Sequence, residues 1–275
     1  MPRLIRTALE KAGVGDAGRL ESGIDVVGDI ALVRLAGFSA REKREVGNAL
    51  LKELNNVRVV LEQEGGIMGE YRLRKLRHLA GERRTLTLHK ENGCAFRVDL
   101  ARCYFSPRLS TERLRIARLV GPSERVLNMF AGVGPYSITI AKLARARVTS
   151  CEMNKYAVSL HIENNSLNKV DGLVSVIQGD AMDLPAMTKT RFDRILMPLP
   201  SEANRFLPVA LAMTKKGGTI HYYRHLLGEN EGEAAEAIRD ELAGLLPRSA
   251  RFGIRKVREV GPRWIEMAAE IGVPG

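Results

Sequence analysis

From residue 126 onward the chain alternates short β-branched runs with helical stretches, and the turn after the first run is Asn128-Met129-Phe130-Ala131-Gly132-Val133-Gly134-Pro135. No other feature restricts the fold as much. Residues 126–129 read as a strand, 135–144 as a helix with Pro135 at its first position, 147–152 as a second strand, and 154–168 as a helix capped by Asn154. Further strands are expected at 174–178, 194–197 and 219–223, with a helix over 202–215 that Pro208 must bend or interrupt. Such alternation covers both faces of a parallel sheet and predicts a doubly wound α/β fold. Residues 253–260 and 263–268 read as two strands joined around Gly261-Pro262, forming an antiparallel edge to the same sheet.

The same turn nominates a ligand. Gly132 and Gly134 let the backbone approach a ligand closely, and Glu152 ends the next strand, where a carboxylate can accept both hydroxyls of a ribose. After the third strand, Gly179-Asp180-Ala181 puts a carboxylate where an adenine amino group can be held. Ser137 stands where a dinucleotide fingerprint has its third glycine, and no second nucleotide half follows. These signs favour S-adenosylmethionine. Its expected contacts are Asn128, Phe130, Ala131, Gly132, Gly134, Glu152, Met153, Asp180, Ala181 and Met197. The plainer alternative is that the glycines only permit tight strand–helix packing.

Ahead of this region the pattern is mixed. Residues 28–35 read as a strand, 39–54 as a helix capped by Ser39, and 57–61 as a strand. Residues 85–89 and 95–100 alternate around Glu91-Asn92-Gly93, a hairpin signal. A helix from Ser110 to about residue 120 is stopped by Gly121-Pro122. The expected division is an extension over 1–20, an α+β domain over 21–120 and the α/β domain over 121–275.

Charge is uneven along the chain. Residues 71–120 hold 13 basic and 4 acidic residues, whereas the rest hold 30 and 28. A concentrated positive segment suits a polyanionic partner, with a solvated charged face as the alternative. Only Tyr71, Phe96, Tyr104 and Phe105 are interleaved aromatics, too few for extended base stacking. No apolar run approaches the roughly 18–20 residues that span a bilayer. The N-terminus has no apolar leader, so a cytoplasmic location and no membrane partner are expected. Cys94, Cys103 and Cys151 form no Cys-x-x-Cys and are expected to be reduced. His221 and His225 share a strand face with no acidic residue between them, so no metal site is expected.

The segments 104–113 (Tyr-Phe-Ser-Pro-Arg-Leu-Ser-Thr-Glu-Arg), 129–135, 164–170 and 217–223 (Gly-Gly-Thr-Ile-His-Tyr-Tyr) resemble the archaeal and eukaryotic tRNA (guanine-N1)-methyltransferases that modify the base 3′ of the anticodon. The likeness runs over roughly residues 25–270. It implies a Rossmann-like class I methyltransferase sheet preceded by a smaller α+β RNA-facing domain, with S-adenosylmethionine as cofactor and tRNA as partner. A monomer is expected. Many members carry a further N-terminal domain that touches the tRNA outer corner, and that domain is expected to be missing.

Methylating guanine N1 requires a base for its proton and a donor for the charge that builds on O6. By resemblance the base is Glu112 and the O6 donor is Arg72. Glu112 also falls in the first turn of a helix capped by Ser110, where the helix dipole alone favours a carboxylate. Arg72 has the alternative of phosphate contact, shared with Arg74, Lys75 and Arg77. Tyr104 can brace the target base or the cofactor, or belong to the core; Arg108 can clamp a phosphate or carboxylate.

Two positions depart from the family's pattern. Asn128 replaces the usual Asp, which removes a negative charge near the cofactor's amino group. Met197-Pro198-Leu199-Pro200 replaces a run containing Asn-Leu-Pro, and Pro198 at the Asn position has neither an amide nor an N–H. Pro198 and Pro200 are still expected to line the substrate site, with base selection left to backbone carbonyls, Ser201 or Glu202. The expected activity is methylation of N1 of guanosine 37 in tRNA. The runner-up is the 3-amino-3-carboxypropyl transfer of the wyosine pathway, and a third reading is a tRNA-binding relative without catalysis.

Overall fold

The computed structural model describes residues 23–275, so the expected extension over 1–20 lies outside the described residues. Packing divides the chain into two units, Met1–Thr111 and Glu112–Gly275. The division falls earlier than the expected boundary after residue 120, because most of the helix that begins at Ser110 packs with the α/β elements.

In the first unit, β1 (Asp25–Val27) and β2 (Ile30–Val33) form a hairpin where one strand over 28–35 is expected. Gly28, at φ +58°, turns the chain. A Cβ there would lie 2.2 Å from Thr87 Oγ1 and 2.6 Å from the Leu88 carbonyl oxygen, so no larger residue fits. α1 (Ala40–Glu53) starts with a capping box in which Ser39 and Glu42 each accept the other's backbone N–H. It crosses over to β3 (Val59–Met68), which pairs in parallel with β2. β3 runs past its expected end at Leu61 because β4 (Leu73–Gly81) pairs with it antiparallel. Val46 and Leu50 of α1 pack with Val33, Val60, Leu79 and Ala80 in this unit's core. β5 (Leu86–Glu91) and β6 (Cys94–Asp99) form the expected hairpin. Arg84 Nη1 donates to Asp29 at 2.9 Å, and the Gly28 N–H donates to His89 Nδ1 at 3.1 Å, which ties this hairpin to the β1–β2 turn.

The second unit opens within α2 (Ser110–Leu119). Ser110 is not its N-cap, contrary to expectation. Pro107–Leu109 already form a 3₁₀ turn, so Ser110 continues a helical path and accepts Asn92 Nδ2 at 2.9 Å through its carbonyl. The α/β core then runs β7 (Arg125–Asn128), α3 (Pro135–Ala144), β8 (Arg147–Glu152), α4 (Lys155–Leu167), β9 (Val174–Gln178), the short α5 (Leu184–Met187), β10 (Phe192–Met197), α6 (Ala203–Met213) and β11 (Thr214–Leu227). It ends with α7 (Glu231–Leu245), β12 (Arg251–Gly261) and β13 (Trp264–Gly272). The seven strands lie in the order β12-β13-β11-β10-β7-β8-β9. β11, β10, β7, β8 and β9 are parallel, and β13 and β12 complete the sheet antiparallel.

The strand order reverses between β10 and β7, so the turn after β7 opens at the topological switch point, where such sheets bind ligands. Pro208 lies in the middle of α6 without ending it, forfeiting one backbone bond, to the Asn204 carbonyl. α7 was not anticipated, although Ala234, Ile238 and Leu242 form its buried stripe. The three cysteines are buried and form no disulfide. Among the described residues no cluster of potential metal ligands occurs, and no helix is long and apolar enough to cross a membrane.

Candidate active site

The turn after β7 is held from beneath. The Ala131 N–H donates to the Cys151 carbonyl at 2.9 Å, and the Gly134 N–H closes back on the Ala131 carbonyl at 3.0 Å. Gly134 has φ +91°, and a Cβ there would lie 2.4 Å from Cδ2 and 2.5 Å from Nε2 of His161. Only glycine serves, on two separate grounds. His161 itself is fully buried, and neither ring nitrogen has a side-chain hydrogen bond to another described residue. Burial pushes its pKa down to about 4, a shift that the Gly132 backbone only partly opposes.

Glu152, at the end of β8, accepts the Gly132 N–H at 2.6 Å through Oε2 and the Asn154 N–H at 2.8 Å through Oε1. Its burial raises the carboxyl's pKa, against those two bonds. Asp180, past the end of β9, accepts the Met182 N–H at 2.9 Å through Oδ1, capping a 3₁₀ turn in which Ala181 is buried. Met153 is exposed, and Phe130 packs edge-on against Phe206 at 4.8 Å. Adjacent parallel strands thus bring the glycine turn, Glu152 and Asp180 to one end of the sheet.

Asn128 and Met197 are placed differently, both fully buried. Asn128 Nδ2 donates to Ser137 Oγ at 3.1 Å, its Oδ1 accepts the Phe130 N–H at 3.4 Å, and Ser150 Oγ donates to Ser137 Oγ at 2.8 Å. The Asn128 side chain is therefore engaged with the protein and shapes the turn from inside. Ser137, the residue in the third glycine's place, completes an uncharged relay across β7, α3 and β8. Pro198 centres a three-residue turn closed by the Leu199 N–H on the Met197 carbonyl at 2.8 Å. The Pro200 carbonyl accepts Arg224 Nη1 at 3.0 Å, and Glu241 holds Arg224 at 2.8 Å. Glu202 pairs with Arg205 at 3.1 Å.

Glu112 is 5% exposed and lies in the first turn of α2. Arg115, one turn on, grips both its oxygens, with Nε and Nη2 each at 3.0 Å. The Tyr223 hydroxyl donates to Oε1 at 2.6 Å, and Arg255 forms an ion pair with Oε2. Arg115 is braced in turn by Glu270 at 2.5 Å. The Tyr223 ring lies 6.5 Å from that of Tyr136, which follows Gly134 in the first turn of α3. Burial raises the pKa of both hydroxyls well above the usual phenol range. Sequence reasoning missed Arg115, Tyr136, His161, Tyr223 and Arg255. Of these only Arg115 carried a local signal, its i+3 spacing from Glu112; the others come from distant elements. His221 and His225 face Glu270 and Glu266 on β13, and Arg194 Nη1 lies 2.7 Å from His221 Nε2.

In the first unit, Arg72 adopts φ +53° with its N–H on the Gly69 carbonyl at 3.0 Å. Its Cζ lies 5.2 Å from the centroid of the half-buried Tyr104 ring, and that of Arg74 lies 5.5 Å away. The four basic residues that share the phosphate-contact alternative are placed differently. Lys75 and Arg77 are exposed and pair with Glu64, at 3.0 and 2.5 Å, whereas Arg74 is buried. Arg108 pairs with Asp25 at 2.6 Å.

Comparison with known proteins agrees with this geometry. Residues 87–240 match the TRM5/TYW2 methyltransferase domain, and residues 5–85 match the TYW2 N-terminal domain. The chain is 37% identical over 255 residues to the tRNA (guanine(37)-N(1))-methyltransferase Trm5b of Pyrococcus abyssi, across 92% of this chain and 76% of that protein. The crystal structure of Trm5b from the same organism matches with a TM-score of 0.83 at 36% identity, over 94% of this chain and 77% of that one. The tRNA 4-demethylwyosine(37)-methyltransferase Taw21 of Saccharolobus solfataricus is 36% identical over 250 residues, 90% of this chain and 92% of that protein. A structure of aTrm5 with tRNALeu matches with a TM-score of 0.81 at 32% identity, over 98% of this chain and 75% of that one. With a glycine turn at the switch point, carboxylates on the next two strands and matches along its length, the chain belongs to the TRM5/TYW2 methyltransferase family.

Proposed function

We propose that this chain transfers the methyl group of S-adenosylmethionine to N1 of guanosine 37 of tRNA, acting as a cytoplasmic monomer. The observation that carries this reading is the buried Glu112 carboxylate, oriented by Tyr223, Arg115 and Arg255 and linked through Tyr223 and Tyr136 to the helix that the glycine turn opens. The residues at the switch point fit the cofactor. Both Glu152 oxygens are already oriented by backbone N–H groups, which suits a pair of ribose hydroxyls. Asp180 spends one oxygen on its cap and keeps the other as an acceptor. When bound, the cofactor supplies an electrophilic methyl group on a sulfonium.

The protein's share of the chemistry is to move one proton. An ionised carboxylate only accepts hydrogen bonds, so Glu112 can take the N1 proton once one of its contacts lengthens. Arg255, on the outer strand β12 and 31% exposed in its side chain, is the partner best placed to yield. Tyr223 keeps its proton and goes on donating to Glu112. Arg72 retains the part that the resemblance implies, donation to O6, for which a permanently charged guanidinium is suited.

A second reading is the same methyl transfer onto 4-demethylwyosine at position 37. Pro198 supports it by removing the expected guanine-reading amide, as does the extent of the likeness to the Saccharolobus solfataricus protein. The test is to incubate the chain with S-adenosylmethionine and tRNA bearing either base, then weigh the nucleosides. Methylguanosine supports the first reading and a methylated tricyclic base the second; an aminocarboxypropyl gain or no gain overturns both. Glu112→Gln should lower turnover by about 10²-fold or more while tRNA affinity persists, and unchanged turnover would remove Glu112 as the base.

A further inference from the structure

β4 sorts its basic residues by face. Lys75 and Arg77 point one way, exposed and both paired with Glu64. Arg74 points the other way and is 7% exposed. Its Nε and Nη1 groups are buried and have no hydrogen-bond partner among the described residues. The Tyr104 ring is its aromatic neighbour, at 5.5 Å, and Arg72 reaches the same ring from 5.2 Å. Asp25 is the carboxylate that attracts Arg74, yet Asp25 already pairs with Arg108 at 2.6 Å, while Arg34 and Arg108 repel it.

Burying a cation without a paired anion is costly, and native structures rarely tolerate it unless a ligand completes the pairing. Burial lowers the Arg74 pKa, outweighing the attraction of Tyr104 and Asp25. The missing partner must be an anion with several acceptor oxygens, small enough to reach two recessed N–H groups. The surroundings restrict its source. Arg34 and Arg108 beside Arg74, and Arg72 on the same Tyr104 ring, favour a polyanion. We propose that Arg74 is a pre-formed receptor for one phosphodiester group of the substrate RNA, and this rests on the reading of the chain as a tRNA-modifying enzyme.

RNA binding without cofactor or turnover tests the proposal, so its failure can be told from a failure of the methyl-transfer reading. Arg74→Met should weaken binding of a tRNA transcript and lower the slope of log Kobs against log salt by about 0.7–0.9, the loss of one phosphate contact, while Arg74→Lys keeps most of that slope. A single neutral methylphosphonate, walked through the anticodon loop, should weaken binding to the wild type at one position and cost Arg74→Met nothing more there. An unchanged slope, or a methylphosphonate penalty equally large in both proteins at every position, overturns the proposal. Thermal melting without RNA separates a structural role. Arg74→Met should melt at the same temperature as the wild type or a few degrees higher, because it removes an unpaired buried charge; a fall of several degrees would make Arg74 a structural cation. If inorganic phosphate alone raises the wild-type melting temperature as much as the RNA does, the site takes a free anion and the RNA assignment fails.

Discussion

His161 offers a direct test of how the glycine turn is supported. The imidazole is fully buried under Gly134, and its pKa is held at about 4 against 6.5 for the free side chain. Between those values the unfolded chain binds a proton that the folded chain refuses, so stability must fall as pH drops through this window. The two pKa values give a loss of about 2 kcal/mol at pH 5 and about 3 kcal/mol at pH 4, with almost none at pH 7. His161→Leu keeps an apolar side chain of similar bulk against the turn and abolishes the titration. Urea unfolding can be followed by the single tryptophan, Trp264, which lies in the same unit on β13. The wild type should lose about 2 kcal/mol more than His161→Leu between pH 7 and pH 5. The buried His221 and every carboxylate are common to both proteins and cancel in the difference. Equal losses in the two proteins would mean that the ring is solvated or paired in solution, and the account of the turn would be wrong.

Other consequences concern the same region. Gly134→Ala meets both the positive φ and the His161 ring, so it should cost about 2–4 kcal/mol of stability; calorimetry should also show S-adenosylmethionine binding weakened at least tenfold, and unaltered binding would refute the close-packing argument. Tyr223→Phe keeps the ring but removes the donor to Glu112, so unfolding should lose about 1.5–3 kcal/mol, with methyl transfer slowed and tRNA affinity unchanged. Burial pushes the Cys151 thiol up to about 12, so iodoacetamide at pH 8 should leave Cys151 unmodified in native protein and alkylate it in urea.

The readable part of the sequence was the part whose signals are local. Residues 126–178 carry β-branched runs, a proline at a helix start, an Asn cap and two glycines, each acting within a few positions, and the elements there lie close to where those signals put them. β4 was hidden because Arg74, Lys75 and Arg77 obscure the alternation that its pairing with β3 enforces. Ser110 misled because its hydroxyl resembles a cap, whereas Pro107 had already begun the helical path. The surroundings of Glu112 could not be read, since Tyr223, Arg255 and Glu270 arrive from β11, β12 and β13, more than a hundred residues away. Nor does spacing separate Arg74 from Lys75. Only the strand's alternation sends one inward to meet Tyr104 and the other out to Glu64.

The placing of β13 bears on how the protein is made. This strand follows β12 in the chain, yet it does not add to the outside of a finished sheet but slots between β11 and β12. Until Trp264–Gly272 emerge, one edge of β11 is bare, Glu270 is not available to brace Arg115, and Tyr223 lacks its neighbour Ala268 across the ladder. A nascent chain therefore has its glycine turn long before the support around Glu112 is in place, and a product cut short before Trp264 would retain a strand edge prone to pairing with other chains. The support around Glu112 is therefore complete only once β13 has joined the sheet.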